Sequence, residues 1–131
     1  MVIDSSAIIA MIIDEEERPV FEDLILRTPV VVMSVVSLVE CTIALLGKRV
    51  NYDATRLDDT ISTFRIDVRP VDLHQGDLAR RAFERYGRGR GLAQLNFGDC
   101  FAYALAKARE EPLLFKGNDF LKTDIVPAWR P

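Results

Sequence analysis

Met1-Val2-Ile3-Asp4-Ser5-Ser6-Ala7-Ile8-Ile9-Ala10-Met11-Ile12-Ile13 opens the chain, and it is apolar apart from Asp4 and the two serines. As a signal peptide it fails: it lacks a basic start, carries an acid in its middle and runs into Asp14-Glu15-Glu16-Glu17. It is also too short to span a bilayer. The reading left is a buried first strand, Val2-Ile3, that ends at Asp4 and passes into a buried helix. The same order recurs downstream. Apolar, β-rich runs at Val30 to Met33, Ile66 to Val71 and Leu113 to Phe115 are separated by helical stretches, with Ile125-Val126 a weaker fifth run. Phe21 to Leu26 follows Pro19, which suits a first helical turn. Val35 to Leu46 ends at Gly47, Ala54 to Phe64 is amphipathic, Leu78 to Tyr86 ends at Gly87, and Cys100 to Ala108 is the last long helix. Strands apolar on both faces, alternating with helices, specify an α/β fold with a parallel sheet of four to five short strands between helical layers. Active sites of such folds lie at the carboxyl ends of the strands.

The chain has 131 residues, enough for one domain over 1–131 with a core that needs neither disulfides nor a structural metal. Hydrophobic residues make up 49% and charged ones 28%, which excludes a disordered chain. The net charge of −3 gives no general attraction to nucleic acid, so any RNA binding has to rest on a local basic patch or on metal ions. Cys41 and Cys100 form no CxxC pattern and lie in apolar stretches. They read as buried reduced thiols of a cytoplasmic protein.

Acids stand where the apolar pattern wants none. Glu40 is the one charge between Val30 and Leu46, Asp99 the one between Gly91 and Ala106, and Asp4 is alone in the opening run. Asp119 lies in Lys116-Gly117-Asn118-Asp119, a polar turn just after a strand. Desolvating a carboxylate is costly without partners. All four fall at connections leaving strand carboxyl ends, hence on one rim of the sheet. Two carboxylates ~4 Å apart repel by about 4 kcal/mol at an effective dielectric near 20, and a divalent cation removes that repulsion. Oxygen ligands without a His or Cys cluster favour Mg²⁺, with Mn²⁺ able to substitute, over zinc. The structural alternatives are helix caps. Ser37-Leu38-Val39-Glu40 and Asn96-Phe97-Gly98-Asp99 both have the form of a capping box, Asp4 suits an N-cap, and Asp119 suits a turn.

These segments carry a family resemblance. Met1-Val2-Ile3-Asp4-Ser5-Ser6-Ala7 resembles the opening of a PIN domain, and Ser37-Leu38-Val39-Glu40 resembles that family's second acidic position. Asn96-Phe97-Gly98-Asp99-Cys100-Phe101-Ala102-Tyr103-Ala104 is similar to its third motif, and Leu114-Phe115-Lys116-Gly117-Asn118-Asp119-Phe120 to its fourth. Order, spacing and length resemble the VapC toxins of bacterial VapBC toxin–antitoxin pairs, across essentially the whole chain. The resemblance implies a PIN-like three-layer α/β/α sandwich and Mg²⁺-dependent endonucleolytic cleavage of RNA. It also implies a homodimer silenced by a small VapB-type antitoxin, with no membrane involved. Asp4, Glu40, Asp99 and Asp119 match its acidic pattern. Ser6 matches a supporting hydroxyl that Ser5 could replace, and Asn96 is a plausible neighbour. Asp4 and Asp99 are expected to bind the main ion, with Glu40 and Asp119 completing the site or holding the attacking water. Thr123-Asp124 matches poorly, and Asp124 stays outside the set.

Three further segments carry expectations. His74, the one histidine, reads as a solvated residue at a helix start and not as a proton-transfer group. The Arg- and Gly-rich run from Arg80 to Gly91 reads either as a mobile cationic arm, with Arg88 and Arg90 on phosphates and Tyr86 stacking on a base, or as a solvated helix end. The surplus of apolar residues over Val20 to Leu26 and Val35 to Leu46 fits either a partner surface or buried helices. Rival functions are a phosphoryl-accepting receiver domain, a non-catalytic binding module on the same fold, and a Mg²⁺-dependent phosphatase or DNase. The receiver is discounted, because it needs paired acids after the first strand, and here Asp4 stands alone.

Overall fold

The computed structural model describes residues 1–47 and 54–130. In chain order the elements are β1 (Val2–Ile3), α1 (Ser5–Ile12), α2 (Arg18–Arg27), β2 (Val32–Ser34), α3 (Val35–Gly47), α4 (Ala54–Thr63), β3 (Asp67–Arg69), α5 (Leu73–Tyr86), α6 (Phe97–Arg109) and β4 (Leu113–Leu114). A short 3₁₀ turn, Asp119–Lys122, follows β4. The strands form one parallel sheet in the order β3-β2-β1-β4. The expected fifth strand is reduced to a single bridge between Leu113 and Pro127.

Strand alternation builds the three layers. Val2, Val32 and Leu113 pack into one core with Ala79, Ala82, Tyr86 and Tyr103 of α5 and α6. Their neighbours Ile3, Met33 and Leu114 point the other way, into a second core with Ile8, Met11, Phe21, Ile25 and Leu45. Successive side chains on a strand face opposite sides, so strands this short still need helices on both faces.

The chain leaves β1 toward β2 on one side, while β4 lies on the other. This reversal opens a crevice at the carboxyl ends of β1 and β4, where ligands of open α/β sheets bind. The Asp4 N–H donates to Leu114 O at 2.9 Å, so Asp4 sits at that crevice.

Several expected boundaries move. Helix α5 starts five residues before Leu78, because the Asp72 carboxylate accepts from the Gln75 N–H at 2.8 Å and caps a polar first turn. His74 lies exposed in that turn, as its sequence setting implied. Helix α3 begins at Val35, so the Ser37–Glu40 capping box does not form. Its start is held instead by Ser34 Oγ, which accepts from the Val36 N–H.

Candidate active site

Three of the four expected acids converge. Each of Asp4, Glu40 and Asp99 offers a carboxylate oxygen, and these oxygens all lie within 4.8 Å of one another. Asp4 caps α1: its Oδ2 accepts from the Ser6 N–H at 2.9 Å and from Ser6 Oγ at 2.6 Å. Asp99 closes the capping box of α6, accepting on Oδ2 from the Asn96 N–H at 2.7 Å, while Asn96 Oδ1 accepts from the Asp99 N–H at 2.9 Å. Glu40 reaches in from the second turn of α3 and takes a hydrogen bond from Ser5 Oγ at 2.8 Å. The cap and the cluster are therefore one arrangement, not alternatives: each cap fixes how its carboxylate enters the site.

The two serines do separate jobs. Ser6 orients Asp4 and Ser5 holds Glu40. The sequence also gave no role to Gly98. A Cβ added there would fall on the Glu40 carboxylate, so α6 approaches α3 closely at this residue. The signal was present, since a glycine in a first helical turn costs up to about 1 kcal/mol against alanine and calls for a reason such as a close approach.

Asp119 stands apart from the tight group. It is exposed at the start of the 3₁₀ turn, yet close enough for its charge to raise the proton affinity of Asp4 and Asp99. Asp124 is engaged elsewhere, accepting from Tyr103 Oη at 2.7 Å and from Lys107 Nζ at 3.2 Å.

Burial sets the electrostatics. Asp4 is 1% exposed and its pKa is raised, first by desolvation and, less, by the charge of Asp119, against the pull of the Ser6 hydrogen bonds. Glu40 is raised by burial and by Asp4. Asp99 is pushed up to about 7 by burial, then by Asp4, Glu40 and Asp119. Three acids whose charged forms all suffer together form a site that a cation would relieve. Asp4 Oδ1 makes the same point: it is buried and has no hydrogen-bond partner. Among the described residues, Ser37 Oγ is the other buried side-chain atom in that condition. An anionic oxygen left bare beside two further carboxylates fits a hard divalent cation.

The arginine segment is not a free arm. Gly87 and Leu95 bridge, the Arg88 N–H donates to Leu95 O, and the Arg90 N–H donates to Gly87 O, closing a loop that runs straight into Asn96. Arg88 and Arg90 are exposed on it, whereas Arg80 pairs with Asp77 and Glu84. The expected stacking role of Tyr86 is overturned. Its ring is buried, packed 5.8 Å from the Tyr103 ring with the Arg85 guanidinium over its face.

A model of the PIN domain matches residues 1–126. "Ribonuclease VapC" of Mycolicibacterium smegmatis is 42% identical over 126 residues, covering 96% of this chain and 98% of its own. "Ribonuclease VapC28" of Mycobacterium tuberculosis is 44% identical over 129 residues, covering 98% and 97%. This chain belongs to the VapC ribonucleases of the PIN domain family. Its fold agrees with the crystal structure of M. tuberculosis VapC20, a toxin described as cleaving the sarcin–ricin loop, at TM-score 0.74 and 18% identity over 99% and 98% of the two chains. A chain from a toxin–antitoxin complex of Klebsiella pneumoniae superimposes at TM-score 0.69 with 14% identity, covering 99% and 98%. The four acid-bearing motifs of this PIN domain thus sit on the fold that their sequence resemblance implied.

Proposed function

We propose that this chain is an endoribonuclease toxin of a toxin–antitoxin pair that hydrolyses RNA phosphodiester bonds at a magnesium site formed by Asp4, Glu40 and Asp99, with Asp119 at its edge. The observation that carries the reading is the bare, buried Asp4 Oδ1 within a group of three carboxylates. A buried acceptor without a partner costs about 1–3 kcal/mol, more when charged, and a divalent ion relieves it. Mn²⁺ would substitute, since both ions take carboxylate oxygens.

When bound, the ion would supply Lewis acidity to a water and to the phosphate charge. Asp4 and Asp99 would hold that ion, and the Oδ2 of each accepts a hydrogen bond at its helix cap. Glu40, steadied by Ser5, orients the attacking water and accepts its proton, and Asp119 completes the outer side of the site. Water as nucleophile leaves a 5′-phosphate and a 3′-hydroxyl. The ribose 2′-hydroxyl takes no part in bond making, and no histidine is needed. Arg88 and Arg90 are exposed on the loop that leads into Asn96, which supports a role for them in holding substrate phosphates.

An aliphatic stripe on α3, Val35, Val39, Ile43 and Leu46, faces outward while Ser37 and Cys41 are buried. This stripe, and separately the exposed Val20 and Leu26 of α2, are apolar surfaces that suit a homodimer or a VapB-type antitoxin. Among the described residues no helix is long and apolar enough to cross a membrane, and both cysteines are free and buried. The two free, buried thiols support a cytoplasmic location as part of this proposal.

The test is incubation of antitoxin-free protein with total bacterial RNA, and with DNA, in Mg²⁺, in EDTA, and with Asp99→Asn. Discrete RNA fragments with 5′-phosphate ends, seen with wild-type protein and Mg²⁺ alone, support the reading. A 2′,3′-cyclic phosphate, full activity in EDTA, or an active Asp99→Asn would overturn it.

A further inference from the structure

The geometry points to Lys116 as a positioning residue for the Asp4 carboxylate, acting through Ser6 and through the loop that carries Asp119. This inference rests on the metal-site reading above. The Lys116 N–H donates to Ser6 Oγ at 3.0 Å, and Ser6 Oγ donates to Asp4 Oδ2 at 2.6 Å. A hydroxyl has one proton and two lone pairs, so an amide on the lone-pair side directs that proton to Asp4. The Ser6 N–H reaches the same Oδ2 at 2.9 Å. Two donors on one oxygen fix the rotation of the carboxylate and leave Oδ1 buried without a partner.

The other end of Lys116 makes the loop stay there. Its Nζ lies 2.7 Å from Glu17 Oε2 and 3.1 Å from Glu15 Oε2, in the connection between α1 and α2. One residue therefore ties the segment after β4 to the start of α1 and to the turn beyond its end. Among the described residues no other hydrogen bond joins 115–119 to 5–17. Gly117 turns the chain at φ +95°, a left-handed conformation suited to glycine, and Asp119 follows two residues later. Loss of the ion pairs frees the loop to pull the amide away from Ser6, and the Ser6 proton then has no fixed direction.

The experiment compares wild-type protein with Lys116→Met, Lys116→Arg and Glu17→Gln. Mn²⁺ affinity is measured by titration calorimetry well below the unfolding temperature, and kcat and KM are measured on a cleaved RNA. Lys116→Met should weaken Mn²⁺ binding about fivefold, the scale of a partly exposed ion pair. The RNA KM should not change, and kcat at limiting metal should fall and recover as metal is raised. Glu17→Gln should shift affinity the same way by less, and Lys116→Arg should restore it. A role in stability alone would lower the unfolding temperature and leave the affinity unchanged, which overturns the inference, as would a raised KM at unchanged affinity. Should Lys116→Met not fold, an unchanged affinity in Glu17→Gln overturns it equally. Wild-type protein that binds no Mn²⁺ would remove the metal-site reading together with this one, whereas wild-type binding with unaltered variants removes this one alone.

Discussion

Replacing Asp99 by Asn should make the metal-free protein more stable at neutral and alkaline pH. Asparagine keeps an oxygen to accept from the Asn96 N–H, so the α6 capping box survives, while the charge that burial opposes is gone. The sign follows from linkage. Asp99 titrates near 7 in the folded chain against an ordinary value of 3.8, so between those limits the native state holds a proton that the unfolded state has lost. Stability therefore falls as pH rises from about 4 to 7, and the full loss is present above 7. At ~1.4 kcal/mol per tenfold change in proton affinity, the shift corresponds to about 4 kcal/mol as a ceiling. Water entry and side-chain rotation in the metal-free cluster offset part of it, leaving about 1–2 kcal/mol, or ~3–10 °C in unfolding temperature for a domain of this size. The assay is thermal or urea unfolding in EDTA from pH 5 to 8. Wild-type protein should lose stability with rising pH, and Asp99→Asn should lose less, with the gap widest at pH 8. Saturating Mg²⁺ should reverse the wild-type trend, because binding requires deprotonated ligands. A wild-type stability that climbs from pH 5 to 7 in EDTA, or an Asp99→Asn protein less stable than wild type at pH 8, would refute the reasoning.

Gly98→Ala places a methyl group on the Glu40 carboxylate, which has to swing aside, so cleavage should fall by about tenfold or more, read by kcat at saturating Mg²⁺, with little loss of stability. Arg88→Ala with Arg90→Ala should weaken RNA binding and lower the salt slope by about one to two, and an unchanged slope would remove the loop from the substrate path. His74→Ala should leave turnover within about twofold at every pH tested, because an exposed residue in the first turn of α5 takes no part in proton transfer; a lost limb of the pH–rate profile would contradict this.

The layered fold was legible because its signal is local. Short apolar runs alternating with helical stretches announce a parallel sheet before any contact is known, and β1, β2 and β4 are buried on both faces while the edge strand β3 is partly exposed. Boundaries were less legible, because ladders and caps decide them. Leu73 is 91% exposed and Gln75 is polar, so the apolar pattern of α5 does not start until Leu78, although Asp72 already begins the helix. Glu40 could be found as a lone acid, but its partner Ser5 lies 35 residues away and no spacing rule connects them. The outward stripe on α3 shows the same limit. Composition gave its surplus of aliphatics, while only packing shows that Ser37 and Cys41 take the inner face.

The helix caps let a small domain gather acids without a scaffold of buried cations. A helix N-terminus carries unpaired N–H groups and a partial positive charge, both of which favour a carboxylate there. Asp4 and Asp99 answer that need with Oδ2, and the backbone thereby holds two anions side by side in the crevice beyond β1 and β4. The capping bonds lower their proton affinities but do not cancel the desolvation that raises them. What is left is mutual repulsion within the group, in which Asp4 Oδ1 is buried without a partner. Converting Ser6 to Ala tests this division of labour, because it removes one donor from Oδ2 and leaves the Ser6 N–H in place. Metal affinity should then fall by about tenfold or more, the usual consequence of losing a hydrogen bond behind a metal ligand, while α1 stays capped. Unchanged affinity would mean that the amide alone orients Asp4, and would confine the hydroxyl to joining α1 with the loop at Lys116.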